Sequence, residues 1–245
     1  MDKTTIIIPS RLNALRLPNK PLALINNKEM ILHVYEAAKK TNTGDVYVAT
    51  PDQKIINVIT RNGGKAILTS LDHQTGTDRV YEVFKNELKN EPSIIVNLQG
   101  DMPNIDPKAI SDLILYMKKE ECDIGTLASK FNTEAELADE NNVKVAVKEK
   151  IKSDNFSKAT DFFRTSSNIH ENIYHHVGIY AFTNKALVRY VSLERSKLEL
   201  ERKLEQLRAL ENDISIHVGY INSSPLSVDT KNDLIEVKKI MENNE

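Results

Sequence analysis

Three cationic side chains lie in one short, proline-rich segment near the start of the chain. Arg11, Arg16 and Lys20 follow the β-branched run Thr4–Ile8, and the segment that holds them contains three prolines. Such a run predicts a strand buried on both faces, and the prolines predict an irregular loop after it. Ligands of open parallel sheets bind beyond the carboxyl ends of the strands. We therefore expect these cations to bind a polyanion, with a triphosphate as the first candidate; alternatively, they are solvated surface charges.

Two aspartates are placed where they could bind a metal ion. Asp101 follows a predicted strand in a turn that contains Gly100, and Asp229 lies at the start of the last predicted helix. Carboxylate oxygens suit Mg²⁺, which commonly binds one or two protein carboxylates together with phosphates. The two aspartates could therefore flank a triphosphate. For Asp229 the alternative is a charge that caps the helix or stabilises its first turn.

A polar loop, Asp72–Arg79, combines hydrogen-bond donors, acceptors and a glycine immediately before a predicted helix. It could contact a ligand, or it could be an ordinary helix start with Thr77 as the cap and Arg79 on the surface. The sequence contains neither the P-loop signature nor the dinucleotide glycine fingerprint. A bound nucleotide would therefore be held by Arg11 and Lys20 rather than by a glycine-rich loop.

Two further groups of polar residues lie in the second half of the chain. His176 and Tyr180 are four residues apart on a predicted strand and so share one face. A histidine in such a position is more often a satisfied core group than a ligand. Glu205, Gln206 and Arg208 lie on a predicted amphipathic helix, where the simplest interpretation is a solvated face.

The elements that must position these residues alternate along the chain. Apolar spacing predicts strands and helices in turn, which is typical of βαβ units and indicates an α/β fold with a mostly parallel, doubly wound sheet. The polar stretch Lys148–Tyr174 predicts a long loop or an excursion away from the sheet. Leu198–Leu210 predicts one amphipathic helix. A closing helix begins after Thr230, with Asp233 completing an approximate capping box.

Composition limits the class of protein. The 245 residues suffice for one large α/β domain or two small ones. A net charge of −2 and a pI near 6.3 argue against a nucleic-acid binder. The lone Cys122 excludes an internal disulfide and a cysteine zinc cluster, and the sequence contains neither a membrane-spanning apolar run nor a secretory signal pattern. We expect a cytoplasmic protein that binds neither nucleic acid nor membrane.

Seven segments together resemble one family, occur in its order and span almost the whole chain. They are Ile7–Arg11, Arg16–Leu22, Asp72–Arg79, Val96–Asp101, His176–Tyr180, Leu204–Arg208 and Val228–Thr230. The family is 3-deoxy-manno-octulosonate cytidylyltransferase, the CMP-Kdo synthetases. The resemblance implies a Rossmann-like nucleotidyltransferase fold with a dimerisation excursion, formed as a single cytidylyltransferase domain over residues 1–245. The sugar-acid pocket and the dimer-forming elements are expected at about residues 148–212.

The resemblance also implies an activity and a role for each matching residue. The enzymes transfer CMP from CTP to the anomeric hydroxyl of Kdo, with Mg²⁺ as cofactor, for lipopolysaccharide biosynthesis, and they are homodimers. Lys20, Asp101 and Asp229 would be catalytic, with the two aspartates holding Mg²⁺. The implied CTP-binding residues are Ser10, Arg11, Arg16, Lys20, Asp72, Thr75, Gly76 and Thr77. The implied sugar-acid-binding residues are Arg79, Gln99, His176, Tyr180, Glu205 and Gln206.

Five residues depart from the family's usual pattern. Asn19 replaces a glycine, Leu15 a hydroxyl residue, Met102 a glutamate, Lys158 an arginine and Arg202 an acidic residue. Asparagine tolerates a left-handed backbone better than most residues other than glycine, so we expect the loop around Asn19 to keep its shape. Loss of the glutamate charge beside Asp101 should lower the affinity for Mg²⁺.

Two other functions stay open at this point. The chain could be a cytidylyltransferase for another sugar acid, such as a neuraminate-like acid, with the same CTP site and a different acceptor pocket. It could also be a nucleotide-binding module that has lost catalysis, which the substitutions at Leu15, Asn19 and Met102 would explain.

Overall fold

The structure is a computed structural model that describes residues 3–13, 16–152, 155–165, 171–222 and 224–243. Its strands are β1 (Thr4–Pro9), β2 (Leu24–Ile25), β3 (Lys28–Glu29), β4 (Asp45–Thr50), β5 (Ala66–Leu68), β6 (Ile94–Leu98), β7 (Ile124–Ser129), β8 (Lys144–Val147), β9 (Phe156–Phe163), β10 (Ile173–Thr183) and β11 (Ile216–Tyr220). Its helices are α1 (Met30–Lys40), α2 (Gln53–Arg61), α3 (Gly76–Asn86), α4 (Pro107–Lys119), α5 (Glu134–Ala138), α6 (Asn184–Ser192), α7 (Lys197–Arg202), α8 (Leu207–Leu210) and α9 (Lys231–Glu242), with a short 3-10 helix at Lys20–Leu22. Of the helices formed by the described residues, none is long and apolar enough to cross a membrane.

The chain forms two compact units. The N-terminal unit is Met1–Ile114 together with Pro225–Glu245, and the C-terminal unit is Leu115–Ser224. In the N-terminal unit the strands lie in the order β5-β4-β1-β6, and every neighbouring pair is parallel. The chain moves outward from β1 to β4 and β5 and then returns to β6 on the other side of β1. The predicted α/β architecture with a parallel sheet is therefore confirmed for this unit, and its strand order reverses direction between β1 and β6.

The core of the N-terminal unit explains why the loop after β1 has a fixed shape. Ile6, Ile7 and Ile8 in β1 are completely buried, as the β-branched run predicts. A second apolar cluster joins the loop to α1 and α9, and its buried members are Leu17, Ile25, Met30, Val228 and Val237. Because this cluster contains residues from the loop and from the segment before α9, hydrophobic burial holds both backbones close to the same core.

The described residues of the C-terminal unit form five strands in the order β10-β7-β11-β9-β8. β7 and β11 are parallel, whereas the other pairs, including an additional pairing of β8 with β10, are antiparallel. Because β8 pairs with both β9 and β10, the strand pairings of this unit close on themselves. Antiparallel pairing here refines the prediction of a mostly parallel sheet, which describes the N-terminal unit.

The prediction of a long loop at Lys148–Tyr174 is wrong. Described residues of this stretch form β9 and the start of β10, and β9 pairs with β8 and β11. The buried positions at the start of β9 hold small residues, Ser157 and Ala159, while Lys158 between them is exposed. A strand whose inward side chains are small and whose outward ones are charged carries little of the apolar alternation that predicts a strand.

The prediction of one helix over Leu198–Leu210 is also wrong. α7 ends at Arg202, because the backbone of the next residue, Lys203, is left-handed with φ of 55°, and α8 begins only at Leu207. Leu204 and Leu207 are buried as the amphipathic pattern predicts, but Leu200 is 53% exposed. A lysine is an unusual residue in the left-handed region, so its type gave no signal for the end of a helix.

A short hairpin, β2–β3, has no counterpart in the sequence prediction. Its two-residue turn is Asn26 and Asn27, with φ of 46° and 60°, the geometry that asparagine and glycine favour in such turns. The departure at Leu15 lies outside the described residues.

Candidate active site

A cleft of about 610 Å³ opens in the N-terminal unit where β1 and β6 end. Three groups of residues line it: Pro9–Arg11 with Asn13, Arg16, Lys20 and Pro21; His73–Gly76 with Arg79; and Gln99–Asp101 with Asp229. The strand order reverses at this point, and open α/β sheets bind their ligands beyond the carboxyl ends of the strands at such a position. The cleft is therefore where the fold itself predicts a ligand.

Lys20 lies at the centre of the charged groups in the cleft. Its Nζ donates to Asp101 Oδ2 at 2.9 Å and to Asp229 Oδ1 at 3.0 Å, and its side chain is only 14% exposed. Burial opposes the charge of Lys20, but the two carboxylates outweigh it, so its pKa is raised above the ordinary value of lysine. Arg16 binds the other oxygen of Asp229 at 2.8 Å, from a solvent-exposed position.

Three backbone features bring these charges together. Asn19 has φ of 57° and starts the 3-10 helix that turns Lys20 into the cleft, so the asparagine keeps the conformation expected of the family's glycine. Leu12 N donates to Asp52 Oδ2 at 2.8 Å, which fixes the loop after β1 to the loop before α2. Val228 N donates to the carbonyl oxygen of Asp101 at 2.9 Å, which brings Asp229 beside Asp101 although 128 positions separate them in the sequence.

The carboxylates of Asp101 and Asp229 have the charge and the oxygen donors that a divalent cation requires. An ammonium nitrogen already lies within hydrogen-bond distance of both Asp101 and Asp229, so the two side chains converge on one position that favours positive charge. Among the described residues, no group of three or more His, Cys, Asp or Glu side chains is arranged to hold a metal ion. A cation held here would need phosphates or water as further ligands, as is usual for Mg²⁺.

The first residues of the loop after β1 also face the cleft. Arg11 is exposed and lines it. Ser10 is buried, and its Oγ has no hydrogen-bond partner among the described residues. A buried hydroxyl without a partner is costly, so Ser10 is a group that a bound ligand would satisfy.

The polar loop Asp72–Arg79 starts α3 through Thr75, not through Thr77. Thr75 Oγ1 accepts from Asp78 N at 3.1 Å, and Asp78 Oδ2 accepts from Thr75 N at 3.2 Å, which is a complete capping box. The alternative with Thr77 as the cap is therefore wrong. Gly76 lines the cleft close to Pro9, whereas Asp72 and Thr77 do not line it.

Arg79 is buried rather than on the helix surface, so that alternative is also wrong. It is 3% exposed and donates to the hydroxyl of Thr69 and to Ser70 O, the latter at 2.9 Å. Burial and then the neighbouring charge of Arg11 lower its pKa. Two guanidinium groups that repel each other beside one cleft would both be stabilised by an anion bound there.

Asn97 connects two of the expected site residues and was not identified from the sequence. It is 1% exposed, its Nδ2 donates to Thr77 Oγ1 at 3.2 Å, and its Oδ1 accepts from Gln99 Nε2 at 3.0 Å. Buried polar groups require such partners. The network holds the amide of Gln99 at the cleft, and the only signal in the sequence was an amide residue inside an otherwise apolar strand.

In the C-terminal unit, His176 and Tyr180 lie side by side on β10. Their ring centroids are 5.5 Å apart. A β-bulge lies between the two residues, but it inserts two extra residues, and an even number leaves both side chains on the same face of the strand. His176 Nε2 lies 3.0 Å from Thr126 Oγ1. Burial and then the neighbouring charge of His175 lower the pKa of His176 to about 3, so the imidazole is neutral at physiological pH. Burial and then the charge of Glu205 raise the pKa of Tyr180 well above its ordinary value.

The turn between α7 and α8 holds Glu205 and Gln206, and a solvated face is the wrong description of it. Gln206 is 8% exposed and Arg208 is 4% exposed. Arg208 forms a bidentate ion pair with Glu199, which is completely buried. Glu199 was not singled out in the sequence, because a charged residue on a short amphipathic stretch gives no sign that it is buried.

Taken together, the N-terminal unit has a parallel α/β fold whose cleft holds cationic side chains and a pair of carboxylates at the edge of the sheet where nucleotide-binding proteins of this class bind their ligands. The sequence profile of the family described as Cytidylyltransferase matches residues 5–216. A 3-deoxy-manno-octulosonate cytidylyltransferase of Bartonella henselae is 41% identical over 238 residues, covering 96% of this chain and 97% of the relative. The enzyme of the same name from Brucella ovis is 41% identical over 234 residues, covering 95% of this chain and 93% of the relative.

A solved structure shares the whole fold. CMP:2-keto-3-deoxy-manno-octonic acid synthetase in complex with CTP superposes with a TM-score of 0.90, at 35% identity and with 100% of both chains covered. The chain therefore belongs to the cytidylyltransferase family, among the 3-deoxy-manno-octulosonate cytidylyltransferases. It is a nucleotidyltransferase enzyme, as the seven segments predict.

Proposed function

We propose that this enzyme transfers CMP from CTP to the anomeric hydroxyl of Kdo, 3-deoxy-manno-octulosonate, giving CMP-Kdo and pyrophosphate for lipopolysaccharide biosynthesis. The observation that carries the proposal is 41% identity over nearly the full length to enzymes named for this activity. The cleft adds a physical reason, because it combines Arg11 and Lys20 with two convergent carboxylates at the ligand-binding edge of the sheet.

In this proposal the cations of the cleft bind the triphosphate. Arg11 and Lys20 neutralise the β- and γ-phosphates and stabilise the charge that develops on pyrophosphate as it leaves. Two of the three N–H groups of the Lys20 ammonium are directed at Asp101 and Asp229, which leaves one donor for a phosphate. Arg16 contacts Asp229 and holds the shape of the loop. The backbone of Ser10–Arg11 reads the cytosine together with the part of the Asp72–Thr77 loop that lines the cleft, residues 73–76.

Asp101 and Asp229 are the residues that would hold Mg²⁺. The ion, when bound, supplies charge neutralisation at the α-phosphate and lowers the pKa of the attacking hydroxyl. The protein's own part is positioning: the anomeric hydroxyl attacks the α-phosphorus in line, the bond to the β-phosphate oxygen breaks, and no covalent enzyme intermediate is required. The hydroxyl proton passes to solvent water as the new phosphodiester bond forms.

The sugar-acid residues that the resemblance implies each have chemistry that a polyhydroxylated sugar acid needs. In the N-terminal unit, Arg79 offers positive charge and Gln99 an amide. In the C-terminal unit, the neutral His176 offers a hydrogen bond rather than a charge, beside Tyr180. The turn with Glu205 and Gln206 offers a carboxylate and an amide for hydroxyl groups. A homodimer and a cytoplasmic location stay predictions from the resemblance.

Pyrophosphate release tests the proposal. Purified protein is incubated with CTP, Mg²⁺ and either Kdo or a neuraminate-like acid, and release is followed with time. We expect release with Kdo to exceed release with the other acid by a wide margin, and Asp101→Asn and Asp229→Asn each to lower the rate by about 100-fold or more. Asp112→Asn is the matched control, because Asp112 forms an exposed ion pair with Lys108 away from the cleft.

Each alternative gives a different result in the same assay. Release with the neuraminate-like acid and not with Kdo would assign a different acceptor to the same CTP site. Binding of CTP in calorimetry without release of pyrophosphate from any sugar acid would identify a nucleotide-binding module. Either outcome would contradict the proposed activity.

A further inference from the structure

The turn between α7 and α8 is fixed at both ends by residues that do not themselves face a ligand in the proposed function. Lys203 ends α7 in a left-handed conformation, and Leu204 N donates to the carbonyl oxygen of Glu199 at 3.3 Å. On the other side, Arg208 N donates to the carbonyl oxygen of Glu205 at 3.2 Å. The turn therefore presents Glu205 and its neighbour Gln206 between two backbone anchors.

A buried ion pair connects the helices on either side of the turn. Arg208 Nε donates to Glu199 Oε2 at 2.8 Å, and Arg208 Nη2 donates to Glu199 Oε1 at 2.7 Å. Glu199 also accepts from Arg195 Nε at 3.0 Å and from Ser196 N at 3.2 Å. Glu199 is completely buried and Arg208 nearly so. Planar, bidentate pairing of this kind fixes direction as well as distance.

The same arginine reaches the turn through an aromatic ring. The guanidinium carbon of Arg208 lies 4.7 Å from the centre of the Tyr190 ring, and the Tyr190 hydroxyl donates to the carbonyl oxygen of Glu205 at 2.8 Å. Two nitrogens of Arg208 are committed to Glu199 and its face lies against Tyr190. Its geometry is therefore that of a residue that holds the turn, not one that offers its charge to a substrate carboxylate.

Stability alone does not account for a buried pair at this place. Two charges that leave water lose a hydration free energy that their mutual attraction barely compensates. Apolar residues of similar volume often stabilise a protein core equally well or better. What apolar residues do not provide is a fixed direction for the turn. We infer that Glu199 and Arg208 are positioning residues that hold Glu205 and Gln206 in the orientation that binds the sugar acid, an inference that rests on the proposed function.

Replacing the pair in two ways separates positioning from stability. Arg208→Met leaves the Glu199 carboxylate buried without its main partner and should lower the urea midpoint of unfolding. The double variant Glu199→Met with Arg208→Met removes both charges and should regain most of that midpoint. In both variants we expect the KM for the sugar acid to rise by about tenfold or more, the loss typical of one misaligned hydrogen bond to a charged group. The KM for CTP should change by less than about twofold.

Two further variants complete the test. Arg208→Lys keeps the charge but not the bidentate geometry, so its stability should lie near that of the wild type while its acceptor KM rises. Arg202→Met is the matched control, because Arg202 on α7 donates to Asp161 Oδ1 at 2.7 Å and to the carbonyl oxygen of Phe162 at 3.0 Å, not to the turn. Its acceptor KM should stay at the wild-type value.

The double variant decides the inference. A regained midpoint with a persistently high acceptor KM supports positioning by the ion pair. A regained midpoint together with a wild-type acceptor KM would show that the pair only fills the core, and the inference would be overturned. If the wild-type protein released no pyrophosphate with any sugar acid, the proposed function itself would fail, which is a distinguishable result.

Discussion

Acid should lower the free energy of unfolding through His176, because the unfolded chain protonates this residue more readily than the folded protein does. Replacing His176 should remove much of this sensitivity to acid. Burial holds the pKa of His176 at about 3, against 6.5 for an exposed histidine. The unfolded chain therefore binds a proton at this residue as the pH falls through 6.5, while the folded protein does not do so until about pH 3. The stability that comes from a neutral His176 is fully present above pH 6.5 and is lost progressively below it.

The size of the effect follows from this shift. One pH unit corresponds to about 1.36 kcal/mol of linked free energy, so at pH 4.5 the extra proton uptake of the unfolded state amounts to about 2.7 kcal/mol. His176 is 8% exposed, so solvent screening does not reduce this value appreciably. The total stability of a domain is of the order of 5–15 kcal/mol, and one histidine would account for a large part of its loss in mild acid.

Urea unfolding of the wild-type protein and of His176→Gln at pH 7 and pH 4.5 measures the effect. Glutamine keeps a hydrogen-bonding group near the hydroxyl of Thr126 and does not titrate. The free energy of unfolding of the wild type should fall between these pH values by about 2 to 3 kcal/mol more than that of the variant. Equal losses in the two proteins would refute the reasoning, because His176 would then titrate alike in the folded and unfolded states.

Three other substitutions test separate parts of the structure. Lys20→Met should weaken CTP binding in calorimetry by about tenfold or more, because a charge-assisted hydrogen bond to phosphate is lost; unchanged affinity would remove Lys20 from the triphosphate site. Gly219→Ala would place a methyl carbon 2.3 Å from the Phe156 ring, so the free energy of unfolding should fall by about 1–3 kcal/mol in urea titrations, and a stable variant would contradict that close approach. Asn97→Leu frees the amide of Gln99 and should raise the acceptor KM by about threefold to tenfold with little change in kcat; a normal acceptor KM would show that the amide needs no anchor.

The N-terminal unit was largely predictable because its signals are local. A β-branched run forms β1, and the polar cap residues Thr230 and Asp233 form the expected capping box. These features depend on the spacing of apolar residues and on hydrogen bonds within a few residues. The placement of Asp101 beside Asp229 is different, since it depends on one long-range backbone hydrogen bond that no local pattern encodes.

The C-terminal unit was harder to predict because several of its buried residues are small, polar or charged. In β9 the buried residues Ser157 and Ala159 are small, and Lys158 between them is exposed. Helix α7 is ended by Lys203, whose backbone is left-handed. Glu199 and Arg208 are charged, and the sequence gives each the character of a solvent-exposed residue although they pair in the core. In each case a tertiary contact overrides the residue's usual preference, which periodicity cannot anticipate.

The fates of the α- and γ-phosphorus atoms of CTP test the central claim most directly. Parallel reactions with Kdo and Mg²⁺ receive CTP labelled with ³²P at either the α- or the γ-phosphate, and the products are separated. Transfer of CMP predicts that the α-label appears in the sugar-acid product and the γ-label in pyrophosphate. Appearance of the γ-label on the sugar acid would demonstrate phosphoryl transfer instead, and absence of the α-label from that product would contradict cytidylyl transfer.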